Sequence, residues 1–225
     1  PFEMTMLPNN VAHVKVNTMV DEGKADQLFA QNFAEISKAD TLILDLRENG
    51  GGSSGIGYRI LAFLVDTPFK QSKWMTREYH PTFRPWGRPD KAYGDEKAFE
   101  HTLESIKKMR GENVQPFLKP VIVLSSPRTG SAAEDFLVAF KPLKRGLIIG
   151  EPSNGSTGQP LNISLPGGGS ARICSKYDTF PDGTQFVGVG VIPDILAKPK
   201  VLDFVEGKDS VLEVALQELA KELKK

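Results

Sequence analysis

Ser131 stands where a nucleophile could work. It lies in Arg128-Thr129-Gly130-Ser131-Ala132-Ala133-Glu134, between an apolar run, Pro120 to Leu124, and an apolar helical pattern, Asp135 to Phe140. A serine between a buried strand and a helix offers its hydroxyl at a helix N-terminus. Free backbone N–H groups there favour developing negative charge. Ser131-x-x-Glu134 is equally a capping box, in which the serine serves the helix and no substrate. Acyl transfer also needs two donors for the oxyanion. The Ala132 N–H points into the same pocket if the helix starts at Ser131. Asn49-Gly50-Gly51-Gly52 follows another apolar run and could bring a second donor, since glycine allows close backbone approach. The same glycines also suit a plain tight turn.

A base is harder to place. The three histidines, His13, His80 and His101, are not tied to Ser131 by spacing. Lys141 and Lys144 are the nearest downstream lysines, but they flank a surface turn, and a lysine base must be desolvated. No His-x-x-x-His, paired-carboxylate or phosphate-loop motif occurs, so no metal and no cofactor is expected. The single cysteine, Cys174, excludes an intrachain disulfide framework and a Cys-rich metal site.

The 225 residues can build one large core, with 40% apolar and 25% charged residues as in ordinary globular domains. The 28 basic and 28 acidic residues cancel, so no global field points to nucleic acid or an anionic membrane. No apolar run is long enough to span a bilayer.

Alternation predicts a strand over 10–17, and helical spacing of Leu28, Phe29, Phe33 and Ile36 predicts a helix over 24–39. Residues 41–47 and 120–125 read as strands covered on both faces. Helices are expected at 55–65, 95–110 and 131–140, with a weaker strand at 70–79 and a surface loop from His80 to Tyr93. A short strand follows at 147–150. Segments 161–165 and 171–177 flank Pro166-Gly167-Gly168-Gly169 as a hairpin. An amphipathic helix, 210–223, ends the chain. Alternating strands and helices predict an α/β layer domain with a β-rich part toward the C-terminus.

The ordered motifs resemble the catalytic domain of the C-terminal processing (tail-specific) serine peptidases, a family that includes the tricorn protease core and the retinoid-binding-protein repeats. The motif residues are Leu44 to Gly52, then Thr129 to Glu134, then Gly150-Glu151 with Gly155. Gly188-x-Gly190-Val191-x-Pro193-Asp194 and Gly207-Lys208-Asp209-x-Val211-Leu212 complete the set. The resemblance implies a crotonase-like (ClpP/crotonase) spiral core of strands and helices. It implies that Ser131 is the nucleophile, that Gly52 and Ala132 donate the oxyanion N–H groups, and that Glu134 supports the site. It also implies a peptide or unfolded-protein substrate, pairing with a strand near 161–165 or 171–177, and a periplasmic or cell-envelope location.

One departure is decisive for mechanism. The Ser–Lys branch carries its lysine in Gly-Glu-x-Thr-x-Gly-Lys-Gly, and Ser156 stands at that position in this chain. The tricorn-like branch takes a histidine from before its first core strand, and a glutamate where Val187 stands. No histidine precedes the predicted first strand. The pattern is closer to the tricorn and retinoid-binding-repeat branch. Residues 1–225 read as one peptidase-like domain, expected to be a piece of a longer polypeptide whose upstream part supplies the base. The alternative is a non-catalytic relative that holds peptides or apolar ligands. An acyl-CoA enzyme of the wider crotonase superfamily is a third reading.

Overall fold

The computed structural model describes residues 1–78, 91–94 and 97–223. The chain opens on β1 (Phe2–Leu7), which turns through Asn9 and Asn10 into the antiparallel β2 (Val11–Val16). Both asparagines take positive φ, which asparagine tolerates in tight turns. Then follow α1 (Ala25–Ile36), β3 (Thr41–Asp45) and α2 (Ser54–Ala62). Short strands β4 (Phe69–Lys70), β5 (Lys73–Glu78), β6 (Lys91–Gly94) and β7 (Glu100–His101) lead to α3 (Leu103–Arg110). The core resumes with β8 (Val121–Ser125), α4 (Ala132–Phe140) and β9 (Leu147–Gly150). The hairpin β10 (Leu161–Ser164) and β11 (Ser170–Ile173) comes next, then β12 (Tyr177–Thr179) and β13 (Ile195–Leu196). Helices α5 (Val201–Glu206) and α6 (Ser210–Glu222) finish the described chain.

Among the described residues, the central sheet runs β1-β2-β3-β8-β9-β13, parallel throughout except for β1 against β2. Alternate residues of its strands enter two cores. Val14, Leu44, Val123 and Ile148 pack with Phe29, Phe33, Ile60 and Phe136 on one face. Ile43, Ile122, Leu124 and Ile149 pack with Val211, Ala215 and Leu219 of α6 on the other. Burial on both faces is why these strands read as continuous apolar runs.

Several expectations need correction. The first strand is β1, so His13 lies in the second. The helix expected over 95–110 begins only at Leu103, because Thr102 caps it by accepting the Ser105 N–H at 3.3 Å. His101 therefore sits in β7, not on a helix. Segment 171–177 is two strands: β11 pairs with β10, and β12 pairs with β5. The loop expected from His80 to Tyr93 lies mostly outside the described residues, His80 included; residues 91–94 form β6 against β5.

Candidate active site

The loops that leave β3 and β8 at neighbouring sheet positions are knitted together by main-chain groups. Asn49 is fully buried. Its Nδ2 donates to the Val16 carbonyl at 2.8 Å, and its Oδ1 accepts the Gly51 N–H at 2.9 Å. Its own carbonyl accepts the Gly130 N–H at 2.9 Å. Thr129 Oγ1 donates to the Leu46 carbonyl at 2.9 Å. The glycine loop thus lies against the start of α4. A Cβ on Gly51 would stand 2.5 Å from that of Ser131.

Ser131 precedes the first residue of α4 at φ 52 and ψ −123. That region is costly for a residue with a side chain. Ser131 and Glu134 occupy capping-box positions, and Glu134 Oε2 accepts the Ser131 N–H at 3.1 Å. The reciprocal arm differs. The Glu134 N–H goes to the Ser131 carbonyl at 2.8 Å, and no side-chain cap bond forms from the hydroxyl.

Glu134 is fully buried and accepts four hydrogen bonds. Ser153 Oγ and the Gly155 N–H reach Oε1, each at 2.6 Å. The Ser156 N–H reaches Oε2 at 2.9 Å, beside that of Ser131. Burial raises its carboxyl above the usual range, against the pull of those four donors. Glu134 fastens the 153–156 loop onto the start of α4. The Gly188–Asp194 motif closes behind it: the Val191 N–H donates to Ser153 Oγ at 2.6 Å, and the Gly188 N–H to the Gly155 carbonyl at 2.7 Å.

Among the N–H groups near Ser131, those of Gly52 and Ala132 are spare. Gly52 forms a parallel bridge with Met19, in which Gly51 lends its carbonyl and Ser53 its N–H. That pattern turns the Gly52 N–H away from Met19, and it has no hydrogen bond among the described residues. The Ala132 N–H is the first of α4 and likewise has no partner among them. Ser131 opens onto two adjoining depressions of about 480 and 320 Å³. One is lined by Gly50–Gly52, the other by Gly130, Ser156 and Thr157.

Beneath this surface, the Ser54 hydroxyl donates to Asp135 Oδ2 at 2.5 Å, tying the first residue of α2 to the first turn of α4. Burial, with the nearby Asp178 charge adding to it, raises the Asp135 carboxyl to about 6. Asp135 Oδ1 and Asp178 Oδ2 are buried without hydrogen-bond partners among the described residues.

None of the candidate bases among the described residues meets Ser131. His13 Nε2 lies 3.1 Å from Asp45 Oδ2, on the α6 face of the sheet. His101 Nε2 bonds Gln71 at 2.7 Å and packs on Phe69, and burial lowers its pKa. Lys141 pairs with Asp194 at 2.6 Å. Lys144 caps a surface turn. Ser156 lines the smaller depression and accepts the Ser131 N–H through its carbonyl at 3.0 Å. No three His, Cys, Asp or Glu among the described residues group as a metal site.

Motif reading takes Asn49 only as the start of the glycine turn and gives Ser153 no role. Asn49 shows the familiar Asn-Gly turn signal. Ser153 offers none, because its partners Glu134 and Val191 are distant in sequence.

A mainly parallel α/β sheet thus carries a serine and unbonded N–H groups in the turns that follow its strands. The family model of peptidase family S41 matches residues 10–197. The chain belongs to that family. It is 31% identical over 175 residues to a chloroplastic C-terminal processing peptidase of Tetradesmus obliquus, covering 76% of this chain and 32% of that protein. It superposes on a solved protein of Parabacteroides merdae ATCC 43184 with a TM-score of 0.77 and 20% identity, over 97% of this chain and 64% of that one. The tricorn protease matches with a TM-score of 0.55 and 18% identity, over 96% of this chain and 18% of that one. The chain spans about a third of the length of the curated processing peptidase it matches. No helix among the described residues is long and apolar enough to cross a membrane.

Proposed function

We propose that this domain is the catalytic domain of a serine endopeptidase acting on peptides or unfolded C-terminal segments. Ser131 Oγ attacks the scissile carbonyl and loses its proton to a base. The N–H groups of Gly52 and Ala132 receive the oxyanion. The base returns the proton to the leaving amine, and water then hydrolyses the acyl-enzyme. Glu134 does not touch the reacting atoms; it holds the Ser131 backbone and the 153–156 loop in place. The base is a histidine from outside these 225 residues. Two facts support that: no candidate base meets Ser131 among the described residues, and the curated relative is more than twice as long.

The observation that carries the reading is the Ser131 hydroxyl. It stands at the start of α4 on a backbone held at φ 52, with Glu134 Oε2 anchoring the N–H of the same residue, beside the unbonded N–H groups of Gly52 and Ala132. A helix cap needs neither that backbone nor the pair of unbonded donors. That no candidate base meets Ser131 among the described residues favours a second reading, a peptide-binding relative that does not cleave. Fluorophosphonate labelling of the full-length protein, its Ser131→Ala variant and the 225-residue chain separates them. Labelling of the full-length protein that Ser131→Ala abolishes, and that the short chain lacks, is the expected result. An unlabelled but folded full-length protein overturns the peptidase reading. A periplasmic or envelope location rests on family resemblance alone, and cell fractionation tests it.

A further inference from the structure

Between Glu151 and Lys176 the sequence carries one charged residue, Arg172. It sits on β11, opposite Asn162 of β10. Side chains alternate across a strand, so Arg172 shares a face with Asn162 and not with Leu161, Ile163 and Ile173. The polar face turns toward the Ser131 cleft, and Arg172 lines both depressions that flank the serine.

The guanidinium is unspent. Arg172 makes no hydrogen bond or ion pair among the described residues, and its side chain is exposed. No aspartate or glutamate lines either depression among those residues. The other cation on the rim, Arg128, is paired with Glu48. The nearest buried carboxylate, Glu134, is occupied by four donors from its own loops. A planar guanidinium with free N–H groups matches a carboxylate in bidentate fashion.

We infer that Arg172 forms a carboxylate-binding subsite beside Ser131, selecting peptides with an acidic group next to the bond to be cut. The inference rests on the cleft being a peptide site, and it holds whether or not the bound peptide is cleaved. The group is either an acidic side chain or the chain-terminal carboxylate of the peptide.

The test uses full-length protein carrying Ser131→Ala, so that binding is read without turnover. Rhodamine-labelled octapeptide pools are titrated by fluorescence anisotropy. One pool has a fixed central glutamate and an amidated C-terminus. A second has glutamine and an amidated C-terminus. A third has glutamine and a free C-terminal carboxylate. The first or the third binds about tenfold tighter than the second, as one charge-assisted contact predicts. Which of them wins identifies the source of the carboxylate. The advantage shrinks in high salt, and Arg172→Gln, on an exposed hairpin position, removes it with an unchanged circular dichroism spectrum. Equal affinity of the three pools, an advantage that survives Arg172→Gln, or no binding of any pool overturns the inference. Labelling of Ser131 in the unsubstituted protein is read separately. Arg172-dependent binding without labelling sustains the subsite while the peptidase reading falls.

Discussion

At the scale of single residues, the site depends on the groups that hold Ser131 as well as on Ser131 itself. Glu134 is the main one. Glu134→Gln leaves one oxygen for two of the four donors and sets an amide against the other two. Each stranded buried donor costs about 1–3 kcal/mol, so the variant loses about 2–6 kcal/mol in urea unfolding. Its fluorophosphonate labelling falls as well, because the Ser131 N–H and the Ser156 N–H lose a common anchor. Wild-type stability with wild-type labelling would remove Glu134 from the positioning role. Ser131, Ala132, Glu134 and Gly52 were legible because they lie in strand-to-helix turns or the first helical turn, in motifs that resemble the family's. The bonds of Asn49 and Ser153 were not, since those to Val16 and Glu134 span 33 and 19 positions.

At the scale of elements, the spacing of the two spare N–H groups is the spacing of α2 from α4. The Ser54–Asp135 bond is a direct polar tie between those helices. The Asp135 carboxyl is raised to about 6 from 3.8, so the folded protein binds its proton more tightly than the unfolded chain. Stability contributed by that proton is present below about pH 4 and is lost as pH rises toward 6. Two pKa units correspond to about 3 kcal/mol. Asp135→Asn removes the dependence. Relative to wild type, it gains up to about 3 kcal/mol between pH 4 and pH 7. Urea unfolding at pH 4, 5.5 and 7 checks it, and parallel pH curves for the two proteins would refute it. Element types came through in the sequence where apolar residues dominate, as in β3, β8 and α4. They failed where polar periodicity stood alone. Residues 95–102 carry a helical-looking pattern, yet Thr102 sets the start of α3 and His101 is drawn into a strand against Phe69.

At the scale of the whole molecule, one partly buried charge network fastens α6 to the sheet. Arg47 reaches Asp45 at 2.6 Å and Asp209 at 2.7 Å, and His13 meets Asp45 from β2. Burial alone would raise the Asp45 carboxyl, but hydrogen bonds from His13 and Arg47 outweigh it and hold it far below the usual range. Asp209 also caps α6, accepting the Leu212 N–H at 3.0 Å. Arg47→Met strands a buried carboxylate and costs about 3–5 kcal/mol. The loss is present at neutral pH and shrinks below about pH 4, where unfolded carboxyls take protons. Chemical unfolding at pH 7 and pH 3.5 distinguishes this from simple loss of packing, which would be equal at both. The mainly parallel sheet was legible from runs of apolar residues. The docking of α6 was not, because 162 residues separate Arg47 from Asp209 and no periodicity records that contact.

The backbone of Ser131 carries an evolutionary cost. At φ 52 and ψ −123 a glycine would sit at ease, while a serine pays about 1–3 kcal/mol. Ser131→Gly relieves that strain and gives back about 1 kcal/mol through the freer unfolded chain. The net gain of about 1 kcal/mol raises the melting temperature by about 2–4 °C in a protein of this size. Calorimetry on the variant measures it, and a lower melting temperature would show that the serine is not strained. A lineage selected only for a durable fold would drift to glycine at this position. One that keeps serine is accepting a less stable protein in exchange for a hydroxyl.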